Sequence, residues 1–144
     1  MPNTAADPRA TVDVAVAVLR DEEGRILLTQ RHADAHQGGL WEFPGGKRED
    51  GETIAAALAR ELREELAIEL RSHARLLIVE HDYGDKRVRL DVHLVHEFGG
   101  DPVPCEGQPM RWVPVQELLE YAFPKANMPI VERLRAISLR DSCR

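Results

Sequence analysis

The stretch GGKREDGETIAAALARELREELAI, residues 45–68, decides how this chain reads. A glycine pair, Gly45-Gly46, closes an extended run, and Thr53 is placed to cap a helix running to about Leu66. Its apolar stripe is Ile54, Leu58, Leu62 and Leu66. At about 100° per residue, with Glu61 at the origin, Glu64 lies at roughly 300° and Glu65 at roughly 40°. Ile54, Leu58 and Leu62 fall at roughly 20°, 60° and 100°, so Glu65 sits inside the apolar arc and Glu61 at its edge. Like charges at this spacing repel, and a buried carboxylate is costly unless paired or metal-bound. A local rule broken without visible compensation marks a functional site. Several carboxylate oxygens suit Mg²⁺ or Mn²⁺ in preference to zinc. The competing reading is a solvated helix whose glutamates pair with Arg60 and Arg63.

Outward from this helix the pattern is mixed. Val12, Val14, Val16 and Val18 alternate as a strand, Asp21 to Gly24 reads as a turn, and Ile26-Leu27-Leu28 continues as the second arm of a hairpin. Trp41-Glu42-Phe43 is a short strand stopped by Pro44-Gly45-Gly46. On the C-terminal side, Leu76 to Val79 reads as a buried strand and Val88 to Leu94 as an alternating one. A Gly/Pro-rich loop covers residues 99–109, followed by a short strand at 110–113 and a short helix at 115–121. Pro129 opens a last helix that turns Ile130, Leu134 and Ile137 to the core. Residues 1–10 read as a loose lead-in and 11–140 as a single mixed α/β domain.

With 144 residues there is room for one ordinary domain. A hydrophobic fraction of 43% with 31% charged residues suits a globular protein, and no apolar run is long enough to cross a bilayer. No signal-peptide pattern opens the chain, and two cysteines, Cys105 and Cys143, make no disulfide framework, so the expected compartment is the cytoplasm. Nineteen basic against 25 acidic residues leave a net charge of −6, which argues against binding nucleic acid by bulk charge. An anionic substrate would then need a cation as bridge. The six histidines, His32, His36, His73, His81, His93 and His96, show no metal-ligand spacing.

Gly46, five residues, Glu52, seven residues, then Arg60-Glu61-Leu62-Arg63-Glu64-Glu65-Leu66-Ala67-Ile68 resembles the Nudix box, G-x5-E-x7-R-E-U-x-E-E-x-G-U, with U a bulky aliphatic. Eight of nine constrained positions match, and the departure is Ala67 in place of glycine. The family's glycine ends the helix, so alanine asks for a different exit geometry if φ there is positive. The run from Gln30 to His36, GLWEFPGGK at 39–47, Glu106-Gly107-Gln108-Pro109 and Phe123 to Asn127 resemble the MutT-like branch. That resemblance implies a single-domain α/β/α sandwich with a mixed sheet. It further implies Mg²⁺-dependent cleavage of oxidised purine nucleoside triphosphates, such as 8-oxo-dGTP, to monophosphate and pyrophosphate.

The resemblance places metal on the carbonyl of Gly45 and on Glu61, Glu64, Glu65 and Glu106, with Mn²⁺ as a substitute for Mg²⁺. A carboxylate then takes a proton from the attacking water. Glu61 is the preferred general base, with Glu52 and Glu106 as alternatives, and Arg60 orients the glutamates. Arg31, at a strand end, reads either as a phosphate contact or as an ordinary exposed arginine. Asn127 holds the position that in the MutT-like branch reads the modified base; on local sequence alone it would be a helix N-cap. A pyrimidine nucleotide, CTP or a modified dCTP, is the rival substrate, since a related Nudix branch carries a similar GLWEFPGGK run. The rival of another class is a non-catalytic recognition module, against which stand the acids Glu52, Glu61, Glu64 and Glu65. The expected assembly is a monomer or homodimer.

Overall fold

Two sheets share the middle layer of the computed structural model, and the chain passes between them at Pro44. The structure describes residues 10–34 and 38–142, with the backbone alone for 139–142. The elements run β1 (Thr11–Leu19), β2 (Arg25–Gln30), β3 (Trp41–Glu42), β4 (Gly45–Lys47), α1 (Ile54–Leu66), β5 (Glu69–Asp82), β6 (Arg87–Gly99), β7 (Met110–Pro114) and α2 (Met128–Ser142). Two 3-10 turns, Val115–Glu120 and Lys125–Asn127, lead into α2. One sheet has the order β4-β1-β6-β5 and is mixed, because β1 and β6 run parallel; the other is β3-β2-β7.

Four local expectations need correction. β1 and β2 do not make a hairpin ladder: they lie in different sheets, joined by the single bridge Arg20 to Ile26. The alternating valines of β1 find longer partners, with β6 matching it from Thr11–Arg87 through Leu19–Val95. Gly45-Gly46 does not simply stop a strand either; Gly45 to Lys47 is itself an edge strand paired with Val14 to Val16. Leu76 to Val79 is the middle of a 14-residue edge strand, bulged at three places, and Ile78 is 44% exposed. The short helix expected at 115–121 is a 3-10 turn.

Alternation along β1 builds the sandwich. Val16 and Val18 face α2, packing with Ile26, Leu28, Val113, Ile130, Val131 and Leu134. Ala15, Ala17 and Leu19 face α1, packing with Ala57, Leu58, Leu62, Leu66 and Ile68. Alanine at two of those β1 positions lets α1 approach the sheet closely, and burying each α1 leucine contributes about 2 kcal/mol. Thr53 caps α1 as the sequence predicts, its Oγ1 accepting from the Ala56 N–H at 3.0 Å.

At its other end α1 keeps a left-handed exit despite the alanine: Ala67 has φ 57° and ψ 36°. The Ala67 N–H donates to Arg63 and the Ile68 N–H to Leu62, and Ile68 is 2% exposed in the α1 core. Anchoring of Ile68 holds this geometry against the β-carbon's steric cost. Among the described residues no helix is long and apolar enough to cross a membrane.

Candidate active site

The turn between β4 and α1 is organised by one arginine. Arg60, 16% exposed, donates from Nε to Glu52 Oε2 at 2.7 Å and from Nη2 to Glu52 Oε1 at 2.9 Å. Its Nη1 reaches Glu61 Oε2 at 2.9 Å and Glu64 Oε1 at 3.2 Å, and Nη2 also donates to the Lys47 carbonyl at 3.0 Å. The fork geometry of guanidinium makes this possible; a lysine would supply one point charge. Arg60 therefore fixes three glutamates and the end of β4 together.

The four box glutamates end in different electrostatic states. Glu52 is held at about 2, first by the Arg60 hydrogen bond and then by the Glu49 N–H, against its own desolvation. A carboxylate bound so strongly is a poor proton acceptor, which moves Glu52 from the list of bases to a structural part. Glu64 stands 57% exposed, with Arg60 beside it. Glu65 is pushed up to about 9, first by burial, then by a hydrogen bond with Glu61 and by the charges of Glu61, Glu106 and Glu42. Glu61 is 15% exposed and lies directly over Gly46, where a β-carbon would overlap its carboxyl group.

Strand parity orients the Gly45 carbonyl. Pro44 O accepts from Ala17 N–H and Arg48 N–H donates to Asp13 O, so residues 44, 46 and 48 bond toward β1. Gly45 and Lys47 then point their carbonyls off the open edge, and that of Lys47 is the one Arg60 meets. The loop after β6 closes the ring: Val103 N–H donates to Leu66 O and Cys105 N–H to Glu65 O, each at 3.0 Å. Buried Gln108 accepts the Glu106 N–H at 3.0 Å. These contacts bring Glu106 within electrostatic reach of Glu65 and Glu42.

Glu42 escaped the sequence reading. Its pKa is raised, first by burial and also by Glu106, while Arg31 opposes both. Arg31 Nε donates to Glu42 Oε1 at 2.9 Å, so its guanidinium is at least partly committed within the protein. The signal was present: in Trp41-Glu42-Phe43 the acid alternates between two aromatics and must face the opposite side from them.

The aromatics on that other side tie the C-terminal segment to the site. Trp41 N–H donates to Ala122 O at 2.8 Å, and the Trp41 ring meets Tyr121 edge-on with centroids 5.3 Å apart. Phe43 stacks on Phe123 at 5.4 Å. Asn127 follows, half-buried, its N–H donating to Pro124 O; among the described residues its side-chain amide has no hydrogen-bond partner. It makes no cap to α2, which sets aside the local N-cap reading.

The oxygen-only donor set fits a divalent cation of the Mg²⁺ class. Half-buried Glu65 lies in electrostatic range of Glu61, Glu106 and Glu42, an arrangement that a bound cation would relieve.

The chain has known relatives in both sequence and fold. The NUDIX domain family model matches residues 15–133. The 8-oxo-dGTP diphosphatase of Escherichia coli is 37% identical over 126 residues, covering 88% of this chain and 98% of that protein. The CTP pyrophosphohydrolase of the same organism is 37% identical over 122 residues, covering 85% and 90%. Among solved structures, a MutT from work on Aliivibrio salmonicida and Vibrio cholerae superposes with TM-score 0.78 at 34% identity, over 88% of this chain and 98% of that one. The solution structure of the E. coli ORF135 protein gives TM-score 0.82 at 33% identity, covering 96% of each.

Proposed function

The chain belongs to the NUDIX domain family, hydrolases of pyrophosphate bonds, and on that premise we propose that it converts 8-oxo-dGTP to 8-oxo-dGMP and pyrophosphate with Mg²⁺. The observation that carries the reading is the acidic cluster itself: Glu61 over Gly46, with Glu61, Glu106 and Glu42 all in electrostatic range of half-buried Glu65. Residues 11–140 act as one catalytic domain, and the reaction suits a cytoplasmic enzyme that clears the nucleotide pool.

Gly45 through its carbonyl, with Glu61, Glu64, Glu65 and Glu106, would hold Mg²⁺, or Mn²⁺ in its place. Such an ion supplies charge neutralisation on the polyphosphate and Lewis-acid polarisation of the attacked phosphorus. Arg60 engages Glu61 at Oε2 and so orients its carboxylate. Glu61 accepts the proton of the attacking water. Water adds at phosphorus and the bridging P–O bond breaks, giving 8-oxo-dGMP and pyrophosphate. Arg60 keeps Glu52, Glu61 and Glu64 in register throughout. Arg31, held against Glu42, is the candidate contact for the polyphosphate.

Base choice falls to Asn127. Its amide offers one acceptor and two donors, and the Phe43–Phe123 stack anchors its segment beside the acidic pocket. The E. coli CTP pyrophosphohydrolase is as similar in identity as the 8-oxo-dGTP diphosphatase of that organism, so a pyrimidine triphosphate is the second reading. Pyrophosphate release across 8-oxo-dGTP, dGTP, CTP, 5-methyl-dCTP and ADP-ribose at low micromolar concentration separates them. The expected result is a clear lead for 8-oxo-dGTP; a lead for a pyrimidine would leave the hydrolase and remove the purine assignment. Binding of nucleotide with no hydrolysis in Mg²⁺ would return the chain to a recognition module.

A further inference from the structure

The layer between the sheets and α2 runs short of apolar partners at one end. Along β1 the residues on the α2 side are Val16, Val18 and then Arg20, which is exposed. On α2 the inward stripe of Ile130 and Leu134 continues as Ile137, with Ser138 beside it. Where the core would need apolar residues to close, an arginine and a serine stand. A cavity of about 540 Å³ opens there, bounded on its far side by the β1–β2 turn.

Its apolar wall is Ile26, Leu94, Val115, Leu134 and Ile137. All five are aliphatic, and among the described lining residues there is no aromatic ring. The volume falls within the roughly 300–1,000 Å³ of pockets that hold small molecules. The two cations at the rim differ in commitment. Arg25 is engaged, its Nε donating to Asp21 Oδ2 at 2.8 Å and its Nη2 to Glu23 Oε1 at 3.2 Å. The Arg20 guanidinium has no hydrogen bond or ion pair among the described residues. Gln116 and Ser138 add neutral hydrogen-bonding groups to the same lining.

We propose that this cavity binds a free medium-chain aliphatic carboxylate, its head on Arg20 and its chain along the aliphatic wall.

Each part of the ligand follows from a part of the site. A single uncommitted arginine balances a single negative charge and can meet a carboxylate with two parallel N–H donors. A polyphosphate would bring further charges with no cation to match them, and Glu23 at the rim would repel them. A nucleobase would find no ring to stack on, whereas methylenes gain by leaving water for aliphatic contact. The cavity also stands apart from the hydrolytic site. α1 and its glutamates lie on the other face of the β1 sheet. Along α2, Ile137 comes ten residues after Asn127, about 15 Å away at helical rise. Binding here is thus independent of which nucleotide is cleaved.

The test is isothermal titration of the full-length protein with octanoate below its micellar concentration. Saturable binding at one site per chain is expected, with affinity rising about fourfold per methylene from hexanoate to decanoate. Octanol keeps the chain and lacks the charge, so it should bind at least tenfold more weakly. Arg20→Gln, at an exposed side chain, should melt as wild type and weaken octanoate at least about tenfold, the scale of a hydrogen bond between charged groups. Ser138→Leu puts a larger side chain into the cavity and should abolish binding. Nucleotide hydrolysis at the wild-type rate in both variants separates loss of this site from loss of the fold. Absence of saturable octanoate binding, or wild-type affinity in either variant, would overturn the site and leave the hydrolase reading untouched.

Discussion

Gly46 has no room for a side chain because the carboxyl group of Glu61 occupies the space above its Cα. The contact is with the far end of a side chain, so a methyl group there would displace Glu61 and leave the backbone standing. Arg60 resists that displacement by holding Glu61 Oε2 at 2.9 Å. Gly46→Ala is therefore expected to fold, to melt within a few degrees of wild type, and to lose about a hundredfold in kcat, the scale set by misplacing a catalytic group by about 1 Å. Wild-type turnover in this variant would show that Glu61 does its work elsewhere.

Glu64 and Glu65 should respond alike in activity and differently in stability. Either change to glutamine keeps side-chain volume and removes a metal-binding oxygen charge, so turnover should fall at least about a hundredfold. Glu64, largely exposed, should leave the melting temperature unmoved. Glu65→Gln should stabilise the metal-free protein at neutral pH, because folding no longer has to place on this residue the proton that burial and its acidic neighbours impose. Near-normal hydrolysis in either variant removes that residue from the metal site.

The raised Glu65 pKa gives a pH signature. In the unfolded chain a glutamate releases its proton near pH 4.3, whereas in the fold Glu65 keeps it to about 9. Between those values the folded state binds more protons, so this group's contribution to stability declines as pH rises. Above about pH 7.5 His93, lowered by burial, is neutral whether folded or unfolded. From pH 7.5 to 9 the melting temperature of the metal-free protein should thus fall, and Mg²⁺ should raise it most at the upper end. The same slope in Glu65→Gln would assign the effect to another group.

How much of this was readable beforehand depends on the range of each signal. The α1 stripe, its Thr53 cap and the inward glutamates are periodic within one helix and were legible. Strand partners were not: Val14 and Val16 alternate equally well beside β2 or beside β6, and only the tertiary fold selects β6. Glu106 was an isolated acid until Val103 and Cys105 pinned its loop to α1. Asp91, His73 and His93 meet only through a bulged β5–β6 register that no spacing rule encodes.

Ala67 is a local departure with a measurable cost. A left-handed conformation disfavours an L-residue by about 1–2 kcal/mol, and glycine gives part of that back through a freer unfolded chain. Ala67→Gly should thus stabilise by about 0.5–1 kcal/mol, a rise of roughly 2–4 °C for a domain of this size, with kcat unchanged. A lower melting temperature would mean that φ 57° carries little strain here.

Asn127 should govern preference more than rate. Its amide lies half-buried, without a hydrogen-bond partner among the described residues, on a segment stapled to the site by Phe43 against Phe123. The oxidised base differs from guanine by a carbonyl at C8 and a proton on N7, so one partner can tell them apart by what N7 offers. A lost hydrogen bond of about 1.4 kcal/mol corresponds to tenfold in kcat/KM. Asn127→Ala is expected to reduce the 8-oxo-dGTP to dGTP ratio at least tenfold while dGTP hydrolysis changes by no more than about threefold. Equal losses on both substrates would make Asn127 a structural residue and move base selection to another wall of the cleft.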